Sequence, residues 1–285
     1  MRTLAMFAIA SAVAVSGLAT RSAVAVPNKP GAKATAACGV KVLPLVTGNT
    51  WTYTPISAPN PIAVELVKLA PPQARQIVIS VKSIESKGGD TVATLEEKLT
   101  YEIVAKTDKK PAVMSEVVVN TTIICNAKKF EISPDSFFFA AEPGGFRELT
   151  FDKVDRSKDT SWKLSAGKIG DAPWREDIVA HFTRQPVKGS AAKLSAGKLE
   201  LERSFTPELP ELVMTLSGQS YKAAEKLALI TTGRVTLDEP ASPNPVPSEL
   251  PKNWQSKIWL KDDVGVVQTL NMYAHMYQLT SVQLN

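Results

Sequence analysis

The chain has 285 residues, 33 basic against 28 acidic, a formal net charge of +5 and 44% hydrophobic residues. Opposite charges are interspersed, as in Glu96-Glu97-Lys98, and no arginine cluster or basic block forms the positive stripe that nucleic-acid binding requires. The length can bury a substantial core as one large β domain or two small ones.

Met1-Arg2 gives a positive start, Leu4 to Leu18 is an apolar run, and Ala23-Val24-Ala25 fits the A-x-A cleavage rule. Residues 1–25 therefore read as a signal peptide, and the protein as exported, periplasmic or extracellular. The run is short for a membrane span and no other segment approaches eighteen apolar residues, so no transmembrane span is expected after cleavage. Thr35-Ala36-Ala37-Cys38 has the small residues of a lipoprotein site, but it lies well past the apolar run. Cleavage removes Arg2 and Arg21, leaving 31 basic against 28 acidic residues, or +3.

Residues 26–37 lack apolar period or bulk and read as a flexible arm. Residues 38–285 form a single β-rich domain. The chain has two cysteines, Cys38 and Cys125, separated by 87 residues (125 − 38). In an oxidising compartment they read as a structural disulfide, worth at most roughly 4–5 kcal/mol by chain entropy. The rival reading, a reactive thiol pair, wants cysteines close in sequence.

Strands follow in order. Thr50 to Thr54 places Trp51 and Tyr53 on one face, after the Gly48-Asn49 turn signal. Ala74 to Ile84 aligns Ile77, Ile79 and Val81. After the turn Lys87-Gly88-Gly89-Asp90, Thr91 to Ala105 aligns Ala93, Leu95, Leu99, Tyr101 and Ile103. Val113, Val117, Val119, Ile123 and Cys125 share a face in the next strand, and the two hairpins make a meander. Ser136-Phe137-Phe138-Phe139 is apolar without a period; it reads as a short buried strand, with an exposed ligand or membrane contact as the other reading. Lys163-Leu164-Ser165-Ala166-Gly167-Lys168 recurs as Lys193-Leu194-Ser195-Ala196-Gly197-Lys198, and both read as turns at hairpin ends. Phe146 to Phe151, Asp177 to Val187, Lys198 to Thr206 and Glu211 to Leu216 are further strands. Tyr221 to Leu237 keeps strand parity despite a helix-prone Lys222-Ala223-Ala224-Glu225. A proline-rich connection at 240–251 leads to the last thirty residues. There the alternation predicts one long strand from Val264 to Leu284.

Constellations with chemistry are scarce. His181 and His275 fall in separate strands with no H-x-x-x-H, C-x-x-C or calcium loop, so no metal or cofactor is expected. No G-x-S-x-G elbow or phosphate loop occurs, and an enzyme is not expected. Asn120-Thr121-Thr122 fits a glycosylation sequon but lies mid-strand. Tyr273, His275 and Tyr277, at alternate positions with Met272 and Met276 between and beside them, form either the wall of a ligand groove or a solvated strand face.

Leu43-Pro44-Leu45-Val46-Thr47-Gly48-Asn49-Thr50-Trp51-Thr52-Tyr53 resembles a "P-L-x-x-G-N-x-W-x-Y" string that opens the domain of exported bacterial β proteins of unknown function. Trp259 to Gln268, with Gly265, is similar to their closing "aromatic … G-V-G-hydrophobic-V" hairpin, with Asp263 where that pattern shows glycine. The motif residues are Pro44, Gly48, Asn49, Trp51, Tyr53, Trp259 and Gly265. The group's sheet resembles the curved half-barrel of LolA-like lipoprotein carriers, which implies a concave face able to hold an acyl chain or apolar peptide. The expectation is a mostly β protein with one large antiparallel, curved, half-barrel-like sheet and little helix outside the signal peptide. Its expected role is a non-enzymatic cell-envelope binding module for a lipid, another apolar ligand or an envelope protein. The alternatives are an interaction protein acting through its outer sheet face, and a hydrolase.

Overall fold

In the structure, a computed structural model, the described residues are 41–57, 72–104, 111–126, 130–139, 149–156, 164–165, 168–169, 173–184, 195–221, 226–238, 253–271 and 273–285. The expected signal peptide, the expected 26–37 arm, Cys38, Met272 and the proline-rich connection lie outside them.

The alternating segments pair as strands. In chain order they are β1 (Thr50–Ile56), β2 (Gln76–Lys87), β3 (Asp90–Val104), β4 (Val113–Cys125), β5 (Phe130–Ile132), β6 (Leu149–Arg156), β7 (Leu164–Ser165), β8 (Lys168–Ile169), β9 (Trp174–Arg184), β10 (Ser195–Glu208), β11 (Val213–Met214), β12 (Ser220–Tyr221), β13 (Lys226–Asp238), β14 (Asn253–Lys261), β15 (Gly265–Leu270) and β16 (Met276–Gln283). Twelve join in one antiparallel sheet, ordered β5-β4-β3-β2-β1-β16-β15-β14-β13-β10-β9-β6. Strands β7–β8 and β11–β12 are separate small hairpins.

Register partners share a face of the sheet, so the rows of one face can be read across it. Tyr53 sits beside Ile77, Ile77 beside Leu99 and Leu99 beside Val117. On the far side Leu201 sits beside Ile178, and Leu199 beside Ala180. This face carries the core.

Its curvature follows from one short segment. Phe137–Phe139 forms a 3-10 turn whose three rings are buried. The turn bonds to Glu97 on β3 and Arg203 on β10. These strands are seven steps apart in the sheet, a separation of about 34 Å if it were flat. Only a sheet curled around the turn brings both within hydrogen-bonding reach, and this is the half-barrel. At one end even the outermost strands meet, because Arg156 on β6 donates to the Ile132 carbonyl on β5.

Several sequence expectations need correction. The predicted strand from Val264 to Leu284 is the hairpin β15–β16. Asn271 makes its turn: its side-chain carbonyl accepts from the amides of Tyr273 and His275 at 2.9 and 3.0 Å, and Ala274 takes a positive φ of 66°. The parity of side chains survives the turn, so alternation alone could not show it. His275 therefore lies in the turn and not in a strand. Ser136 to Phe139 is buried as expected, but as a 3-10 turn. The second Leu-Ser-Ala-Gly-Lys copy is no turn, because Ser195 to Lys198 pair with Arg184 to His181 inside β10. The Tyr221 to Leu237 segment, read as a strand, does hold strand β13 from Lys226, paired between β10 and β14; the helix-prone Lys222 to Glu225 lie outside the described residues.

Candidate functional site

The residues that open and close the domain in sequence meet in space. Trp51 donates its indole N–H to the Val264 carbonyl at 2.6 Å, and the Tyr53 hydroxyl donates to the Val266 carbonyl at 2.8 Å. Gly265 has φ 108°, and a Cβ there would stand 2.9 Å from Trp51 Nε1. Asn49 donates to the Pro44 carbonyl at 2.7 Å, and its side-chain oxygen accepts the amide of Asn285 at 2.8 Å. Gly48 has φ 88°, and a Cβ there would meet Asn285 Nδ2 at 2.5 Å. Asp263 adopts a positive φ of 61° where the resembled pattern has glycine, a conformation Asp tolerates. Trp259 points elsewhere: it donates to Glu211 at 2.6 Å.

The concave face, where the resemblance placed a ligand, is filled by the chain itself. Phe137 packs at 4.4 Å centroid distance on Tyr53 and 5.9 Å from Tyr277; Phe138 meets Trp51 edge-on at 5.5 Å. Glu97 anchors one end of this turn. Its carboxylate accepts the hydroxyls of Thr121 and Ser136, each at 2.6 Å, and the Phe137 amide at 2.9 Å. Burial drives the Glu97 carboxyl up from 4.5 to about 7, and those three bonds hold the rise in check. Neighbouring Asp135 is raised by burial to about 6. Arg203 anchors the other end, donating to the Phe139 carbonyl at 2.7 Å with its guanidinium 3.5 Å from the Phe139 ring centroid. Burial lowers Arg203 to about 9, opposed by Glu176, its register partner on β9. Arg156 bonds Glu176 and closes the cluster.

The expected ligand wall is not an open face. Tyr277 is fully buried, its hydroxyl accepting from the Ala74 amide at 3.0 Å. Tyr273 and Met276 are buried as well, and His275 is half-buried. Their rings do neighbour one another, Tyr273 to His275 at 6.3 Å and His275 to Tyr277 at 6.5 Å. His181 is exposed beside Asp155, 3.4 Å away, far from His275 in the sheet order. Among the described residues no three His, Cys, Asp or Glu side chains are placed to hold a metal ion. Among them too, no helix is long and apolar enough to cross a membrane.

One group of exposed apolar side chains among the described residues lies on the opposite face. Residues 209–221, with the β11–β12 hairpin, strap across β14 to β16. Gln278 fastens the strap, accepting from the Leu216 amide at 2.7 Å and donating to the Met214 carbonyl at 2.8 Å. Lys257 pairs with Glu208 at 2.5 Å and Glu211 at 2.9 Å. Val213, Thr215 and Tyr221 face inward and are buried. The alternate residues Leu212, Met214 and Leu216 therefore point out, 58%, 60% and 68% exposed, with Leu209 at 86%. A half-buried hairpin ordinarily puts polar residues on its outer row; this one puts aliphatics there. The sequence showed the alternation Leu212-Val213-Met214-Thr215-Leu216 but held no sign of which row faces inward.

No family model matches this chain. No curated protein matches it either. Among solved structures it is similar to a candidate exported protein with a YmcC-like fold from Bacteroides fragilis, at 10% identity and a TM-score of 0.41, covering 85% of this chain and 98% of that one. It is similar also to a candidate lipoprotein from Parabacteroides distasonis, at 12% identity and a TM-score of 0.41, covering 86% and 99%. Likenesses this distant carry no argument about function.

Proposed function

We propose that the protein is an exported, non-enzymatic binding module of the cell envelope that engages an apolar partner through the outer row of its strap. The observation that supports this reading is the run Leu209, Leu212, Met214 and Leu216, exposed on a hairpin pinned in place by Gln278 and Lys257. Contiguous exposed aliphatic side chains on an ordered element mark interaction surfaces more often than incidental exposure. Export rests on the Met1 to Ala25 segment, and a Cys38–Cys125 bridge belongs to the same reading. Cys125 ends β4 on the core face and is buried.

A carrier that holds its ligand in the half-barrel is less well supported, since Phe137 to Phe139 fill that space. Replacement of Leu212, Met214 and Leu216 together by Ser tests the proposal. Co-sedimentation with envelope membranes and their proteins should be lost, while thermal stability stays close to that of the parent protein. Unchanged co-sedimentation contradicts the strap reading. A lipid retained in native mass spectrometry would point back to the interior.

A further inference from the structure

Among the described residues, the sheet has an open edge along β4. Strand β5 pairs only with Ile123 to Cys125, so among the described residues no strand pairs with Val113 to Thr121 on the side away from β3. The direction of the backbone groups there is fixed by Thr122. Its amide donates to the Ser133 hydroxyl at 3.0 Å, and its carbonyl accepts the Ser133 amide at 2.9 Å. Even-numbered residues of β4 thus direct their N–H and C=O outward: Met114, Glu116, Val118 and Asn120. Proteins guard such edges with lysine, proline or bulges. From Val113 to Thr121 this edge has neither lysine nor proline, and Glu116 is its sole charge. The side chains beside it are apolar and open, with Val113 46%, Met114 45% and Val118 53% exposed.

We infer that this edge pairs with the same edge of a second copy, antiparallel, about a twofold axis through Val117. The register follows from charge and from the bonds already made. Centring the pair on Glu116 would set two carboxylates opposite each other. Centring it on Val118 would need Thr122 opposite Met114, and Thr122 is committed to Ser133. Centring on Val117 sets Glu116 opposite Val118 of the second copy, and Met114 opposite Asn120. All four outward residues then form bonded pairs, about eight backbone hydrogen bonds in total. On the concave face the Leu99–Val117 row continues into the same row of the second copy. On the convex face Lys98, already paired with Glu116 at 2.7 Å, lies across Val118 from the incoming Glu116. The two Glu116 carboxylates are then diagonal neighbours, about 7–8 Å apart at Cα instead of directly opposite, and each has a Lys98 beside it. A single strand pair is small beside a standard interface of about 1,600 Å², so the dimer is weak and depends on concentration.

The test uses the purified protein in sedimentation and mild oxidation. Apparent mass should rise toward that of a dimer with concentration. Val117→Cys should cross-link to itself, because residues at the axis form a non-bonded pair with Cα atoms about 4.5 Å apart, within disulfide range. Ser115→Cys alone should not cross-link, but mixed with Val119→Cys it should. Val118→Glu, facing Glu116 of the second copy, should weaken the dimer at least tenfold, whereas Val118→Lys should keep it. Val118 is exposed, and circular dichroism checks that both variants fold. A monomer at every concentration, cross-linking without regard to position, or equal loss in Val118→Glu and Val118→Lys would each overturn the inference.

Discussion

Glu97 and Arg203 stand seven strands apart in the sheet yet grip the two ends of one 3-10 turn, the first at the Ser136 hydroxyl and Phe137 amide, the second at the Phe139 carbonyl. A buried charge is costly unless its hydrogen bonds are made. Glu97 makes three such bonds, whereas Arg203 donates to Phe139 and stacks on its ring while its Nε and Nη1 stay buried without a hydrogen-bond partner. Together the two residues draw opposite walls of the half-barrel onto the same three phenylalanines. The interior is thus braced as well as filled.

Stability should depend on pH through this brace. The folded Glu97 carboxyl titrates near 7 and Asp135 near 6, both above their ordinary values of 4.5 and 3.8. A carboxyl raised by folding binds its proton more tightly in the native state. Its contribution is complete below the unfolded value and is lost as pH rises through the folded one. Glu97 should therefore cost the native state on the order of 3 kcal/mol between about pH 4.5 and pH 8. Urea midpoints should fall over that interval in the parent protein and much less in Glu97→Gln. Equal pH slopes in the two would refute the assignment.

Arg203 should resist conservative replacement. Its guanidinium both stacks on Phe139 and donates to that residue's carbonyl, with Glu176 beside it in register. Lysine offers no planar face to stack. Arg203→Lys and Arg203→Met should each destabilise by about 3 kcal/mol or more, the cost of breaking a buried charged cluster. Denaturation curves measure this, and a lysine variant as stable as the parent would show that the stacking contributes little.

The meeting of Trp51 with the closing hairpin leaves no room for a side chain at 265. Gly265→Ala would force a Cβ against the indole in a backbone region that L residues avoid, at roughly 1–3 kcal/mol for the backbone strain alone. Trp51→Phe leaves the Val264 carbonyl without its indole donor, at about 1–3 kcal/mol. The two substitutions act on one contact, so their combined effect in a double-mutant cycle should fall short of their sum. Strict additivity would contradict the contact's role.

A Cys38–Cys125 bridge predicts no titratable thiol in the denatured, unreduced exported protein. Reduction should lower its denaturation midpoint, within the roughly 4–5 kcal/mol that a loop of this length allows. Two free thiols would exclude the bridge.

The framework was legible because it rests on parity. Trp51, Tyr53, Ile77, Ile79, Leu95 and Leu99 occupy the core face that alternation assigns them. The same parity puts Glu97 between Leu95 and Leu99 on that face, a buried carboxylate that could have been read from the pattern. Arg203, between Leu201 and Phe205, could have been read the same way. Other features leave no periodic mark. The Asn271 turn preserves parity through side-chain hydrogen bonds, and Phe137 to Phe139 have no period because a 3-10 turn buries all three. The strap's orientation is set by Gln278 and Lys257, distant partners that local sequence does not announce.

The strap's outer row is the binding surface we propose. The most direct measurement compares envelope co-sedimentation of the parent protein with that of the variant carrying Ser at 212, 214 and 216. Association should be lost while the denaturation midpoint holds. Association retained by a folded variant would contradict it.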